Sequence, residues 1–263
     1  MLSLNVLVVG EGISVDKIRS SKYFNKLYIT SEKEVSDCLN IRFNTFQELA
    51  QKCKSLQIDI VLVEDEKYIL QGIADVLKVN YVNCIAVTSK WTDLELNSDF
   101  AEVLLKKYNF DLPKKLLVPL EFPVIVKTKK FIKKANSIQE VIDIKQDIYN
   151  YSQELAQSVK LEEFVDGNKE IITSIYDGKN LVTFPNANIP PVILNKYHEK
   201  LLNMLTSEQA DFTGFINSNV ILKSEKLYNI GFSFEYRDLP ENVDILYLVN
   251  SAVYQKLNEL TLQ

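Results

Sequence analysis

The sequence predicts an α/β protein that begins with a doubly wound parallel sheet. Short apolar runs rich in β-branched residues alternate with amphipathic helical segments over residues 1–90, which is typical of a parallel sheet covered by helices on both faces. From Trp91 onward, longer helices and paired strands replace this alternation. We therefore expect a Rossmann-like domain at 1–90 and an α+β region at 91–263 that contains a small lobe at about 113–185.

Four strands and two helices are expected in the first region. The helix Thr45–Gln57 opens with Thr45 and Glu48 at capping-box spacing and keeps its apolar residues on one face. A second helix is expected at Lys67–Val79. The strands are the short β-rich runs Val6–Val9, Leu27–Thr30, Ile58–Val63 and Ile85–Thr88.

The second region is expected to contain two hairpins among its helices. Asp177–Gly178 is a strong turn signal between two β-rich runs, and Ser224–Lys226 joins another two. The expected strands are Phe122–Lys127, Val159–Val165, Glu170–Tyr176, Leu181–Phe184, Asn219–Lys223 and Leu227–Phe234. The expected helices are Leu96–Tyr108, Ser137–Gln157, Asn195–Ala210 and Val243–Leu260.

Composition excludes several classes of protein. The chain has 263 residues, three cysteines without Cys-x-x-Cys spacing and a net charge of −5, so neither a disulfide framework nor a zinc site is indicated. No apolar run approaches the roughly 18 residues of a membrane span, and the N-terminal segment lacks the pattern of a signal peptide. We expect a cytoplasmic protein with no membrane partner, and the negative charge disfavours nucleic acid.

Six stretches, in order along the chain, resemble phosphoribosylamine–glycine ligase of the ATP-grasp superfamily. The most specific is the run Leu161–Gly167, which reads Leu-Glu-Glu-Phe-Val-Asp-Gly and nearly repeats that family's hinge. A single glycine turn after a strand is a weak signal, whereas the order and spacing of six stretches are a stronger one. The other five are Asn5–Gly12, Ile58–Val63, Phe122–Lys127, Thr213–Phe215 and Asp238–Glu241.

The resemblance implies a pre-ATP-grasp domain followed by ATP-grasp-like lobes, and it assigns binding residues. In the first domain, Gly10 and Gly12 would approach the phosphate of the substrate, although they equally suit a simple strand-to-helix turn. In the lobes, the ATP-contacting residues would be Lys127, Glu162, Glu163 and Phe164. The last three also suit a strand end kept for packing.

Several positions depart from the family's pattern where phosphate and metal are handled. The chain has seven glycines and none between Ile73 and Asp166, so the glycine-rich flap of the family becomes Thr128–Lys134. Serine replaces an ATP-contacting lysine at Ser98. The family's metal-binding glutamate and asparagine correspond to Gly231 and Ser233, so magnesium is not expected and no metal ligand or catalytic residue is assigned. The family's glycine-binding loop, Thr-Gly-Gly-Met-Gly, has no counterpart.

The leading hypothesis is therefore a degenerate relative of the ligase that binds a ligand or a partner in connection with purine biosynthesis. The ligand would be a nucleotide, with ATP left open, or a phosphorylated metabolite, and the partner would be a protein. The alternative is an active ligase that joins phosphoribosylamine and glycine. The lysine run Lys127, Lys129, Lys130, Lys133 and Lys134 is either a polyanion site or a solvated loop. The only histidine, His198, could be a general base or a ligand, but it is expected to face solvent.

Overall fold

The computed structural model describes residues 3–11, 13–31, 38–119, 121–128, 130–237 and 239–260. Within these ranges the strands form three sheets, with five, four and four strands. In the described ranges, no helix is both long and apolar enough to cross a membrane.

The five-stranded sheet is parallel, as the alternating pattern predicts. Its strand order is β3-β2-β1-β4-β5, and each neighbouring pair runs parallel. The strands are β1 (Leu4–Val9), β2 (Phe24–Ile29), β3 (Leu39–Asn40), β4 (Ile60–Val63) and β5 (Cys84–Ile85). The helices between them are α1 (Val15–Ser20), α2 (Phe46–Ser55), α3 (Glu66–Leu70) and α4 (Ile73–Val79).

A small antiparallel sheet, here called the small sheet, follows two linking helices. The helices are α5 (Ser89–Leu96) and α6 (Ser98–Lys107). The small sheet has the order β6-β9-β7-β8 and carries two helices on one face. Its elements are β6 (Lys115–Leu116), β7 (Val124–Lys127), β8 (Ile132–Ala135), α7 (Ile138–Tyr151), α8 (Gln153–Gln157) and β9 (Lys160–Glu163).

The third sheet, here called the large antiparallel sheet, has the order β11-β10-β12-β13. The turn Ser224–Glu225 between β12 and β13 has positive φ at both residues, of 46° and 64°, which is the type I′ geometry of a tight hairpin. Its elements are β10 (Asn168–Tyr176), β11 (Leu181–Thr183), α9 (Pro191–Ser207), β12 (Gly214–Lys223), β13 (Lys226–Ser233) and α10 (Ile245–Val253). Both predicted hairpins are thus confirmed.

Helices cover both faces of the parallel sheet, and one of them comes from the far end of the chain. Leu7 and Val9 of β1 pack in the same core as α2 and α4. Val6 and Val8 pack on the opposite face, with α1 and α10. Tyr23, just before β2, stacks on Tyr247 of α10 with 5.7 Å between ring centroids.

Three helices predicted as continuous are interrupted. The segment 67–79 breaks at Gly72, which has φ +83° and whose added Cβ would lie 2.7 Å from Ser89 Oγ. The segment 137–157 breaks at Ser152, which is extended and caps α8. The segment 243–260 ends as a helix at Val253 and resumes as a 3₁₀ turn at Leu257–Glu259. In each case the periodic spacing of apolar residues continues past the interruption, so the pattern did not indicate where the helix ends.

The prediction of a flap loop after β7 is also wrong in part. Residues 132–135 form β8, which pairs antiparallel with β7. Its first three residues are exposed and include two lysines, so the run lacks the alternation that marks a half-buried strand.

Candidate functional site

Two residues expected to contact a nucleotide, Lys127 and Glu162, lie in a cleft between the small sheet and β13. Directly paired residues on antiparallel strands share a face, and the pairs Ile125–Glu162 and Lys127–Lys160 place these side chains on the face away from α7. Lys127 Nζ lies 3.8 Å from Glu162 Oε1 and donates a hydrogen bond of 3.1 Å to the Ile230 carbonyl. Lys127 therefore links the small sheet to the large antiparallel sheet.

The other two hinge residues lie elsewhere. Glu163 pairs with the buried Val124, so it does not share the face of Glu162. Its Oε1 accepts a hydrogen bond of 3.0 Å from Lys114 N, and its own amide donates to the Lys114 carbonyl. Phe164 lies beneath Lys134, whose Nζ is 4.3 Å from the ring centroid. The structure thus brings only Glu162 to Lys127 among the hinge side chains.

A second lysine in the cleft, Lys160, was missed by the sequence reasoning. Its Nζ lies 2.6 Å from both Ser98 Oγ and Asp99 Oδ1. The hydrogen bond from Lys160 is the largest cause that lowers the pKa of Asp99, whose side chain is nonetheless 73% exposed. The signal available in the sequence was the two-residue spacing between Lys160 and Glu162, which places both on one face of a strand.

Two cavities meet at these lysines. A cavity of about 720 Å³ opens between the start of α6 and the small sheet, which is within the usual range for ligand sites. A cavity of about 70 Å³ continues on the other side of Lys127 and reaches β13. The larger is lined by Asp93, Leu96, Asn97, Ser98, Asp99, Lys127, Thr128, Ile132, Gln157, Ser158, Val159 and Lys160.

The remaining lysines of the run do not converge on this cleft. Lys133 Nζ lies 3.5 Å from Asp147 Oδ2 on α7, and Lys130 lies 5.9 Å above the ring of Tyr151. Lys134 contacts Phe164, and Lys129 lies outside the described residues. The described lysines of the run therefore contact different neighbours and do not form one positively charged patch.

The turn after β1 already holds an anion of the chain's own. The side chain of Glu64, which is 3% exposed, accepts hydrogen bonds of 2.8 Å from Ile13 N and 2.6 Å from Ser14 N. A Cβ at Gly10, where φ is +149°, would lie 2.9 Å from Glu64 Cβ. The close approach of Glu64 thus accounts for the glycine, while Gly12 lies outside the described residues.

A cluster of three glutamates lies between the turn and the cleft. Burial and the neighbouring carboxylates of Glu66 and Glu235 raise the pKa of Glu95 to about 8. Glu235 Oε1 accepts a hydrogen bond of 2.6 Å from Arg237 Nη2, and Glu66 Oε1 accepts one of 3.1 Å from Phe234 N. Glu66 and Glu235 thus accept hydrogen bonds from the protein's own donors, whereas Glu95 Oε2 is buried without a hydrogen-bond partner among the described residues.

The two positions that correspond to the family's metal ligands offer poor ligands for a metal ion. Gly231 has no side chain, and Ser233 offers only a neutral hydroxyl, whereas Mg²⁺ prefers charged oxygen ligands. Among the described residues, no group of three or more histidine, cysteine, aspartate or glutamate side chains has the arrangement of a metal site. The residues present therefore do not fit a magnesium centre of the family's kind.

The expectation for His198 is wrong. Its ring is half-buried against β11, where Nδ1 lies 2.9 Å from Thr183 Oγ1, and burial lowers the pKa of the imidazole. The polar sequence around it hid the fact that α9 turns this residue toward the sheet.

Comparison with known proteins gives relatives at low identity. No protein-family model matches the chain. The chain is similar to the phosphoribosylamine–glycine ligase of Fusobacterium nucleatum, with 21% identity over 310 residues that span 97% of this chain and 72% of the ligase. It is also similar to the same enzyme of Caldanaerobacter subterraneus, with 22% identity over 326 residues that span 99% of this chain and 77% of the ligase.

Solved structures share the fold. Phosphoribosylglycinamide synthetase from Anaerococcus prevotii matches with a TM-score of 0.70 and 15% identity, over 97% of this chain and 76% of that one. The D-alanine–D-alanine ligase of Bacillus anthracis, complexed with ATP, matches with a TM-score of 0.61 and 15% identity, over 98% of this chain and 95% of that one. The predicted ATP-grasp-like α/β fold is confirmed, and so is the resemblance to phosphoribosylamine–glycine ligase in a shortened form.

Proposed function

We propose that this chain binds a nucleotide in the cavity between the start of α6 and the small sheet, does not carry out the ligase reaction, and serves purine biosynthesis as a ligand-binding protein. The proposal rests on a contrast between the cavity beside Lys127 and the turn after β1. The cleft presents two lysines to a cavity of about 720 Å³, whereas the turn that would hold the second substrate's phosphate is filled by Glu64.

The cleft supports nucleotide binding through its charge and size. Lysine is an effective point-charge partner for phosphate, and Lys127 and Lys160 both line the larger cavity. A cavity of this volume is large enough for a nucleotide. The homologous fold of the D-alanine–D-alanine ligase holds ATP, which supports the same class of ligand here.

Three features argue against the ligase reaction. A phosphorylated amine would have to displace a buried carboxylate from the Ile13 and Ser14 amides. Phosphoryl transfer to a carboxylate depends on magnesium and on backbone donors around the phosphates. Gly231 and Ser233 offer no charged ligand for a metal, and the amides of Lys130 and Phe131 after Lys127 already donate to Thr128 Oγ1. The alignment to the Fusobacterium ligase also spans 310 positions, more than the 263 residues of this chain, so that enzyme has segments without a counterpart here.

An active ligase is the second candidate, and two observations favour it. Lys127 and Glu162, which the resemblance assigns to ATP, lie 3.8 Å apart, and the curated relatives are named as ligases. Under this candidate, side chains outside the family's usual positions would have to hold the metal and the glycine.

Thermal unfolding with added ATP or ADP tests the proposal directly. A ligand at 100 times its Kd stabilises the native state by about 2.7 kcal/mol, which corresponds to a rise in Tm of about 5–10 °C for a domain of this size. We expect such a shift for wild type, a much smaller one for Lys127→Met, and a full one for Lys133→Met, which removes an equal charge from the opposite face. No shift with either nucleotide would refute nucleotide binding.

A turnover assay separates the two candidates. Concentrated enzyme is incubated with phosphoribosylamine, glycine, ATP and Mg²⁺, and the release of ADP is followed. The proposal predicts no release that depends on both substrates. Release that requires both substrates and is lost in Lys127→Met would establish the ligase instead.

A further inference from the structure

The pairing of Lys127 with Lys160 is unusual for a structural strand pair. The two residues lie directly opposite one another on β7 and β9, where Cβ atoms are about 4.5–5.5 Å apart and like charges are destabilising. Both side chains are largely covered, with 20% and 22% of their surface exposed. Both ammonium groups line the same cavity, where each can attract an anion.

Lys160 also lies beside a position at which the family has a lysine and this chain does not. Ser98 is the position at which the family has an ATP-contacting lysine, and Lys160 Nζ lies 2.6 Å from Ser98 Oγ. A positive charge is therefore present beside Ser98, but it reaches that point from β9 of the small sheet.

We propose that Lys127 and Lys160 together bind the di- or triphosphate chain of a nucleotide, and that they do so without magnesium. This inference rests on the proposed function and adds to it the residues and the charge balance of the site. The resemblance implies that, in the family, metal ions neutralise part of the negative charge of the phosphates. Here Gly231 and Ser233 offer no carboxylate or amide for a metal, and two directly opposed lysines supply the positive charge.

The acidic neighbours of the two lysines are partners that a phosphate chain can replace. Asp99 is 73% exposed, and ion pairs of exposed carboxylates contribute little to stability. Glu162 lies 3.8 Å from Lys127, which is long for a hydrogen-bonded pair. Lys115, which contacts both Asp99 and Glu102, adds a third positive charge near the smaller cavity. Asp99 is therefore a competitor for the phosphate chain.

Equilibrium binding of ATP, measured by calorimetry in EDTA and in excess Mg²⁺, tests the inference with two opposing variants. Lys160→Met should weaken ATP binding about 10- to 100-fold, the expected loss of a hydrogen bond to a charged group. Asp99→Asn should strengthen it several-fold, because the competitor loses its charge. Lys160→Arg should retain most of the affinity, and Lys133→Met should match wild type. If Lys160 had only a structural role, Lys160→Met and Asp99→Asn would not change the affinity for ATP in opposite directions.

The metal dependence gives a second readout. We expect affinity for ATP in Mg²⁺ to equal or fall below that in EDTA, because Mg²⁺ competes with the lysines for the same oxygens. A rise of tenfold or more with Mg²⁺, or an unchanged affinity in Lys160→Met, would overturn the inference while leaving nucleotide binding intact. Failure of wild type to bind ATP or ADP under both conditions would refute the proposed function itself.

Tripolyphosphate identifies which part of the ligand the lysines recognise. Tripolyphosphate that binds wild type and loses affinity in Lys160→Met supports a phosphate-chain site. Adenosine that binds as tightly as ATP, with no effect of Lys160→Met, would contradict it.

Discussion

The turn after β1 and the cleft beside β7 each contain groups that attract an anion. They differ in the burial of the carboxylate that binds those groups. In the turn, the anion is Glu64, 3% exposed and bonded to two backbone amides. In the cleft, Lys160 is neutralised by Asp99, which is 73% exposed. A buried internal partner fixes a site permanently, whereas an exposed one leaves the site exchangeable. One site has thus become part of the core, and the other remains available to a ligand.

Substitution of Glu64 should have the largest effect on stability. Glu64→Ala leaves two amides without their charged acceptor, and we expect a loss of about 3 kcal/mol in the free energy of unfolding. Glu64→Gln keeps one acceptor oxygen and should lose about half as much. Urea unfolding measures both, with the exposed Glu241→Gln as control. A loss below about 0.5 kcal/mol for Glu64→Ala would mean that the turn is not held by this carboxylate.

The glutamate cluster between the two regions should make stability depend on pH. Burial raises the pKa of Glu95 from 4.5 to about 8, so its contribution to stability is full below about pH 4.5 and is lost as the pH rises through about 8. We expect Tm to fall between pH 5 and pH 9. Glu95→Gln, which carries no charge, should flatten this fall and raise Tm by a few degrees at pH 9. An equally steep fall in Glu95→Gln would assign the pH dependence to other groups.

Removal of Lys127 should matter more for binding than for folding. The side chain makes one hydrogen bond to Ile230 and a long ion pair with Glu162, so Lys127→Met should change the free energy of unfolding by about 1 kcal/mol or less. If urea unfolding gives a loss above about 3 kcal/mol, Lys127 belongs to the core, as Glu64 does, and the contrast between the two regions fails.

The smallest effect is expected at Lys134. Its contact with Phe164 is a cation–π interaction at an exposed strand, worth about 0.5–1 kcal/mol. Lys134→Met should lower stability by no more than this amount in urea unfolding, with Lys133→Met as the matched control. A larger loss would show that the hinge depends on this contact.

The sequence predicted those parts of the fold in which neighbouring residues determine the conformation. The capping residue Thr45 does accept a hydrogen bond from the amide of Glu48, and the two hairpins follow from their turn residues. Strand β8 was not predicted because its lysines interrupt any apolar alternation.

The candidate site was predictable only where the resemblance to a family marks its residues. Lys127 and Glu162 were named from the resemblance and do lie together. The occupation of the Gly10 turn depends on Glu64, which lies 50 residues from Ser14 along the chain. The role inferred for Lys160 depends on strand register. The spacing of Lys160 and Glu162 shows that they share a face of β9, but the partners across from that face are set by tertiary packing.

The position of α10 has a consequence for synthesis. Chains fold from the N-terminus as they emerge, yet one face of the parallel sheet is covered in part by α10, near the far end of the sequence. We expect a nascent chain that stops before residue 245 to expose Val6, Val8 and Leu62 to solvent. The sheet that is made first should therefore depend on chaperones until α10 has left the ribosome.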